Sequence, residues 1–234
     1  MVRSLRAAGH PGKHADLQQY LGSPLPAQGL YARAFVTIVR EFKTRHPRLH
    51  PEDLHALADA LWNGTHFEDQ ILACDLLAAY VRTWNRTTWS LVDRWVDRAV
   101  GWGLCDTVGG LVISRLLEAD PTRFRVVRTW TRSPNLWRRR AALYAMSRWV
   151  RAGALDRPFV IIRSLHRDPE FWVRRAVGTW LRECWKQDRP RTERFLLSNA
   201  RNLAPIVITV ATERAPLTFR AHLRAVARPR RLKV

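Results

Sequence analysis

The sequence predicts an all-α protein built as a helical-repeat solenoid, and three observations carry that expectation. Apolar residues recur every three or four positions from about residue 30 onward, as in Ile71, Leu72, Leu76, Ala79 and Tyr80. No stretch shows the sustained alternation of a half-buried strand. An eight-residue segment also recurs: Pro134-Asn135-Leu136-Trp137-Arg138-Arg139-Arg140-Ala141 returns 35 residues later as Pro169-Glu170-Phe171-Trp172-Val173-Arg174-Arg175-Ala176. A period of about 35–45 residues with paired helices is the mark of a HEAT-like or similar stack, in which one helix of each pair lines a concave face.

Taken in order, residues 1–14 hold Gly, Pro, His and basic residues without periodicity and read as a flexible tail. Tyr20-Leu21-Gly22-Ser23-Pro24-Leu25-Pro26 reads as a helix end and a turn. Helices are expected over 30–45, 51–62, 66–83, 88–101, 104–118, 121–131, 134–151, 156–166, 169–187, 190–201 and 216–227. His50-Pro51, Asp120-Pro121, Ser133-Pro134 and Asp168-Pro169 each place Pro at a first helical position, where its missing N–H costs nothing. Ser and Asp before it are capping residues. A single repeat domain is expected over 15–228, followed by a basic tail over 229–234.

Forty basic and twenty acidic residues give a formal charge of +20 in 234 residues. The apolar content is that of a folded protein, which excludes a disordered basic chain. Arginine dominates lysine, and its planar donor fork suits phosphates. Nucleic acid is the economical partner for such a surface. An anionic membrane is the weaker alternative, because no exposed amphipathic basic helix stands out. No apolar run is long enough to span a bilayer, and the first residues lack a signal-peptide core. Cys74, Cys105 and Cys184 are isolated and odd in number, as in a reduced cytoplasmic protein without disulfides. His46, His50 and His55 are separated by Pro47 and Pro51, so they share no helix face, and no metal or cofactor is expected.

Trp102-Gly103-Leu104-Cys105-Asp106 places an aromatic ring and a carboxylate four residues apart, about 40° of helical rotation, on one face. A carboxylate in so basic a chain suits the stabilisation of a developing positive charge. The plain alternatives are a capping Asp and a core Trp. Arg140 and Arg175 hold equivalent places in the repeat. Arg148, eight residues after Arg140, shares roughly its face. Arg139 and Arg174 suit salt bridges between repeats.

These pieces together resemble the AlkD-type DNA alkylation-repair family of HEAT-like alkylpurine DNA glycosylases. The residues that carry the resemblance are Tyr20-Leu21-Gly22-Ser23-Pro24, Trp102 with Asp106, Asn135 to Ala142, and Ala176 to Glu183, in family order. The resemblance implies that Trp102 and Asp106 flank the sugar of a damaged nucleotide. It implies that Arg140 meets the DNA backbone, with Arg148 and Arg175 as further backbone contacts. It also implies a lesion held on a concave basic surface of a monomer, without a base pocket. A second family tryptophan aligns with Thr179, a departure, and the neighbouring Trp180 is about 100° around the helix. Excision of N3- or N7-alkylated purines from duplex DNA is the activity implied. A non-catalytic protein of the same fold binding DNA or RNA, and a scaffold for an acidic protein, are the alternatives.

Overall fold

A computed structural model describes residues 1–9, 14–30 and 32–228, and among these there are helices, turns and no strands. The chain divides into two compact units, Met1–Ala119 and Asp120–Val234, where the sequence suggested one domain.

The first unit holds α1 (Val2–Ala7), α2 (His14–Leu21), α3 (Ala32–Arg45), α4 (Pro51–Trp62), α5 (Phe67–Ala79), α6 (Arg86–Arg98), α7 (Trp102–Thr107) and α8 (Ser114–Ala119). Residues 2–7, expected as tail, are helical because Leu5 supplies an apolar anchor that is fully buried. Residues 10–13 of that expected tail, and the whole basic tail over 229–234, lie outside the described residues. Pro51 opens α4 as anticipated. α5 is the central helix, apolar nearly all round, and it packs on α3, α4 and α7. Its Glu68 is 1 % exposed, and Oε1 accepts the backbone N–H groups of Gln28 (2.7 Å) and Gly29 (2.9 Å). That carboxylate ties the segment entering α3 to the core, since three N–H donors including Leu30 converge on it.

The second unit holds α9 (Phe124–Trp130), α10 (Leu136–Tyr144), α11 (Ser147–Arg151), α12 (Asp156–Leu165), α13 (Phe171–Gln187), α14 (Arg189–Asn199), α15 (Pro205–Ala211) and α16 (Leu217–Ala227). α10 packs on α13, and α13 on α15. Trp137 lies 6.3 Å from Trp172 near the start of α10 and α13, and Tyr144 lies 5.3 Å from Trp180 further along. Start meets start, so the repeat helices run parallel, the HEAT-like arrangement. Helix α15 continues the series but is not among the expected helices. Its Ile-Val-Ile-Thr-Val run is β-branched and favours strand locally, and packing against α13 overrides that preference.

The caps of the repeat helices differ from expectation. Pro134 and Pro169 precede α10 and α13 by two residues instead of opening them. Asn135 is the N-cap of α10, its side chain accepting the Trp137 N–H at 2.9 Å. Asp168 caps nothing alone; its Oδ1 takes the Glu170 N–H at 2.9 Å, and its carboxylate receives Arg139 in a two-point ion pair, Nε–Oδ2 2.6 Å and Nη2–Oδ1 3.1 Å. Arg139 also donates to the Ser133 and Pro134 carbonyls, and Arg174 Nε donates to the Asp168 carbonyl. Arg139 therefore joins consecutive repeats, as its register suggested, whereas the Arg174 bond stays within its own repeat, at the place of the Arg139–Ser133 bond.

Candidate nucleic-acid interface

In the first unit the arrangement begins at Gly101, whose φ of +88° suits glycine. A Cβ there would sit 2.6 Å from the carbonyl oxygens of both Leu21 and Gly22. A Cβ on Gly103 would meet Leu21 Cδ2 at 2.7 Å. The two glycines let the end of α2 lie directly against the start of α7. Trp102 Nε1 donates to the Tyr20 carbonyl at 2.5 Å, and the Tyr20 ring meets the indole edge-to-face, centroids 5.1 Å apart at 88°. The indole is thus fixed in position while Trp102 stays half-buried and Tyr20 is 65 % exposed. We expect Gly101→Ala to displace Trp102 and lower stability by roughly 1–3 kcal/mol, from the strained φ alone. Tryptophan emission and thermal unfolding read the two effects, and a wild-type emission spectrum would contradict the packing described.

Asp106 lies one turn beyond Trp102 on the same helix and is half-buried. Gly101 is the N-cap of α7, and the first turn carries no acidic residue, so Asp106 is not a cap. Trp102 is not part of the buried core either. Immediately after Thr107 the helix widens into π geometry over Val108–Ile113, a local irregularity that recurs near functional positions.

Arg140 belongs to the second unit, on α10. Arg140 is only 3 % exposed. Its Nη1 donates to the Trp172 carbonyl and its Nη2 to the Tyr144 hydroxyl at 3.1 Å, and the guanidinium lies 5.1 Å from the Tyr144 ring centroid. It is seated under the surface of its repeat, whereas the sequence put it on that surface. Arg175, its mate, is exposed. Arg140 is covered by Trp172 of the next repeat, whose carbonyl it bonds and whose ring centroid lies 5.9 Å away. Arg148 is half-buried on α11, and the chain between it and Arg140 is interrupted at Ala145 and Met146, so the two do not share one unbroken helix face.

Thr179 is half-buried and its hydroxyl donates to the Arg175 carbonyl at 3.1 Å. Trp180 is 6 % exposed and packs edge-to-face on Tyr144, so it does not stand in for a ring at position 179.

Sequence reasoning overlooked Asp75. It interrupts the apolar run Ile-Leu-Ala-Cys-Asp-Leu-Leu of α5, which was the available signal. Asp75 lines a cavity of about 510 Å³ beside Arg40, Lys43 and Thr44. Burial pushes its carboxyl up to about 6, opposed by the Arg115 charge. A folded pKa above the unfolded one favours the fold at low pH and loses that contribution as pH rises through about 6. Asp75→Asn is therefore expected to raise the melting temperature at pH 8 and change it little at pH 4. An equal effect at both would contradict the shift.

The cysteines offer no nucleophile in this setting. Burial pushes Cys184 up to about 12 and Cys74 well above its usual value. Among the described residues no three His, Cys, Asp or Glu side chains gather to hold a metal ion, and no helix is long and apolar enough to cross a membrane. His55 is engaged with the Thr88 and Thr87 hydroxyls.

A family model described as DNA alkylation repair enzyme matches residues 1–215. Among solved structures, a predicted DNA alkylation repair enzyme from Enterococcus faecalis superimposes with a TM-score of 0.77 at 16 % identity, over 89 % of this chain and 97 % of that one. AlkD2 from Streptococcus mutans gives 0.62 at 18 % identity, over 86 % and 96 %. The protein smu.31 from Streptococcus mutans UA159 gives 0.59 at 16 % identity, over 79 % and 98 %. No curated protein sequence matches.

Proposed function

Because the chain belongs to the DNA alkylation repair enzyme family, we propose that it is a DNA glycosylase releasing cationic alkylated purines from duplex DNA, working as a monomer. The observation that carries this reading is the Trp102–Asp106 face: an indole locked by the Tyr20 carbonyl, with a carboxylate one turn away that caps no helix.

A purine alkylated at N3 or N7 carries a positive charge and is already a good leaving group. The N-glycosidic bond breaks with its electron pair going to the base, which departs neutral, and the sugar becomes oxocarbenium-like. The Asp106 carboxylate stabilises that cation and orients the water that adds to it, the water's proton passing to the carboxylate and then to solvent. Trp102 and the exposed Tyr20 offer ring faces and edges to the cationic nucleotide, worth about 0.5–2 kcal/mol for a cation over a ring.

Exposed Arg175 takes the phosphate-contact role in this proposal, and buried Arg140 holds Tyr144 and Trp172 in place behind it. Arg175→Ala is expected to weaken binding to every duplex alike and lower the log–log salt slope by about 0.9. A change confined to one base sequence would contradict a phosphate contact.

The test of the whole reading is free-base release. Purified protein is incubated with duplex carrying 7-methylguanine or 3-methyladenine, and the supernatant is assayed for the alkylated base. No release overturns the glycosylase. The second reading, a DNA- or RNA-binding protein of the same fold without chemistry, is favoured by Thr179, where no ring faces outward.

A further inference from the structure

We propose that α12 and α14 form a second phosphate-binding site, one that takes backbone phosphates of a nucleic-acid strand and shares no residue with α10 or α13. The proposal rests on the DNA-binding part of the reading above and not on its chemistry.

Between these helices lies a cavity of about 1110 Å³. Arg163 projects from α12, and Arg191 and Arg194 from α14. Two of the three guanidinium groups sit over one ring: Arg191 is 4.7 Å and Arg163 5.8 Å from the centroid of Phe159, itself fully buried. Two like charges gathered on one apolar ring repel each other, and an anion between them relieves that repulsion.

The protein's own carboxylates do not fill that place. Asp188, which also lines the cavity, is committed to capping α14 by accepting the Arg191 N–H at 3.0 Å. Asp156 pairs with Arg191 at 2.9 Å, but its side chain is 93 % exposed and such a pair contributes little. Arg163 and Arg194 are exposed and have no ion pair among the described residues.

His166 supplies the third feature. Its Nδ1 lies 2.8 Å from the Arg163 carbonyl, an acceptor, so Nδ1 is the donor of that bond. Its Nε2 is buried at the cavity wall without a hydrogen-bond partner. Three arginines against one committed carboxylate make a site for phosphate oxygens, with the partnerless His166 Nε2 at its wall. An apolar floor of Phe159 and Phe195, both buried, leaves no open ring for a base to stack on. The chemistry therefore fits the backbone, and binding is expected to be independent of sequence.

The experiment compares the full-length wild type with the double variant Arg163→Ala/Arg194→Ala on an undamaged duplex, titrated across salt. Loss of two phosphate contacts should lower the log–log slope by about 1.8, so the affinity gap narrows about twelvefold between 50 and 200 mM salt. A control double variant, Arg201→Ala/Arg224→Ala, removes the same charge from exposed positions of the same unit. The His166 ring resonances are followed as duplex or inorganic phosphate is added.

The proposal stands if the slope falls for the cavity variant alone and duplex moves the His166 signals. An unchanged slope overturns it. So does an equal fall in the control variant, which would report the general field of the molecule. A His166 response to inorganic phosphate without one to duplex also overturns it, and leaves a free-anion site. Base release from alkylated duplex is assayed separately on the wild type; its absence removes the glycosylase and leaves the slope comparison intact.

Discussion

Asp106→Asn is expected to reduce excision of a cationic alkylpurine by about a hundredfold or more, while the fold and the affinity for DNA stay near wild type. Asn keeps the size and hydrogen-bonding shape of the side chain. What it lacks is the negative charge. In a partly desolvated site, a single well-placed group facing a developing charge is worth about 3–4 kcal/mol, and each 1.36 kcal/mol is a factor of ten in rate. Since Gly101 and not Asp106 caps α7, the substitution removes no cap. DNA affinity should hold or rise, because one acidic group is gone from a chain of formal charge +20. Trp102→Ala should cost less, its packing and cation–π contributions being smaller. Single-turnover release from one lesion-bearing duplex, at saturating protein, makes the comparison. A wild-type rate in Asp106→Asn would leave this carboxylate without a catalytic role.

Asp168→Ala is expected to destabilise the second unit by about 3–5 kcal/mol. The Arg139–Asp168 pair is well enclosed, with side chains 12 % and 4 % exposed, and the contact is two-point. Removing the carboxylate strands a guanidinium in a site with little water. It also leaves the Glu170 N–H without its acceptor. Arg139→Ala should cost somewhat less, because its three backbone and carboxylate partners can be partly hydrated. Urea unfolding of the two single variants and the double variant gives the coupling energy, expected to be about 0.5–3 kcal/mol for residues in direct contact. A loss under about 1 kcal/mol in Asp168→Ala would mean that the pair adds little to the joint between repeats.

Much of this architecture was legible in the residues. The 3.6-residue periodicity and the helix-opening Pro51 gave most helices to within a few positions, because caps and amphipathic faces are local signals. The 35-residue recurrence identified Arg139 as a joint between repeats, while Arg174, read the same way, bonds within its own repeat. Three things were not legible, and each depends on a partner distant in sequence. Helix α15 forms against its own β-branched preference because α13 covers it. Arg140 and Arg175 look identical in the repeat, yet one is buried and one exposed, according to what the next repeat places above them. The positive φ of Gly101 follows from the approach of Leu21 and Gly22, which no local pattern announces. The Trp102–Asp106 pair was visible as a spacing, but the Tyr20 carbonyl that holds the indole was not.

The bond from Trp102 to Tyr20 spans 82 residues of chain, whereas the Arg139–Asp168 joint spans 29. Closing the longer loop costs about 0.9 kcal/mol more in chain entropy. Contacts of high sequence separation form late and slow the search for the native state. The Trp102–Tyr20 contact is therefore among the last features of the first unit to assemble, and the Arg139–Asp168 joint among the earlier ones of the second. A chain emerging in order from the ribosome carries Tyr20 for more than eighty residues before its indole partner exists. Until then the end of α2 lacks its contact with α7, so the Trp102–Tyr20 pairing exists only in chains that have completed most of the first unit.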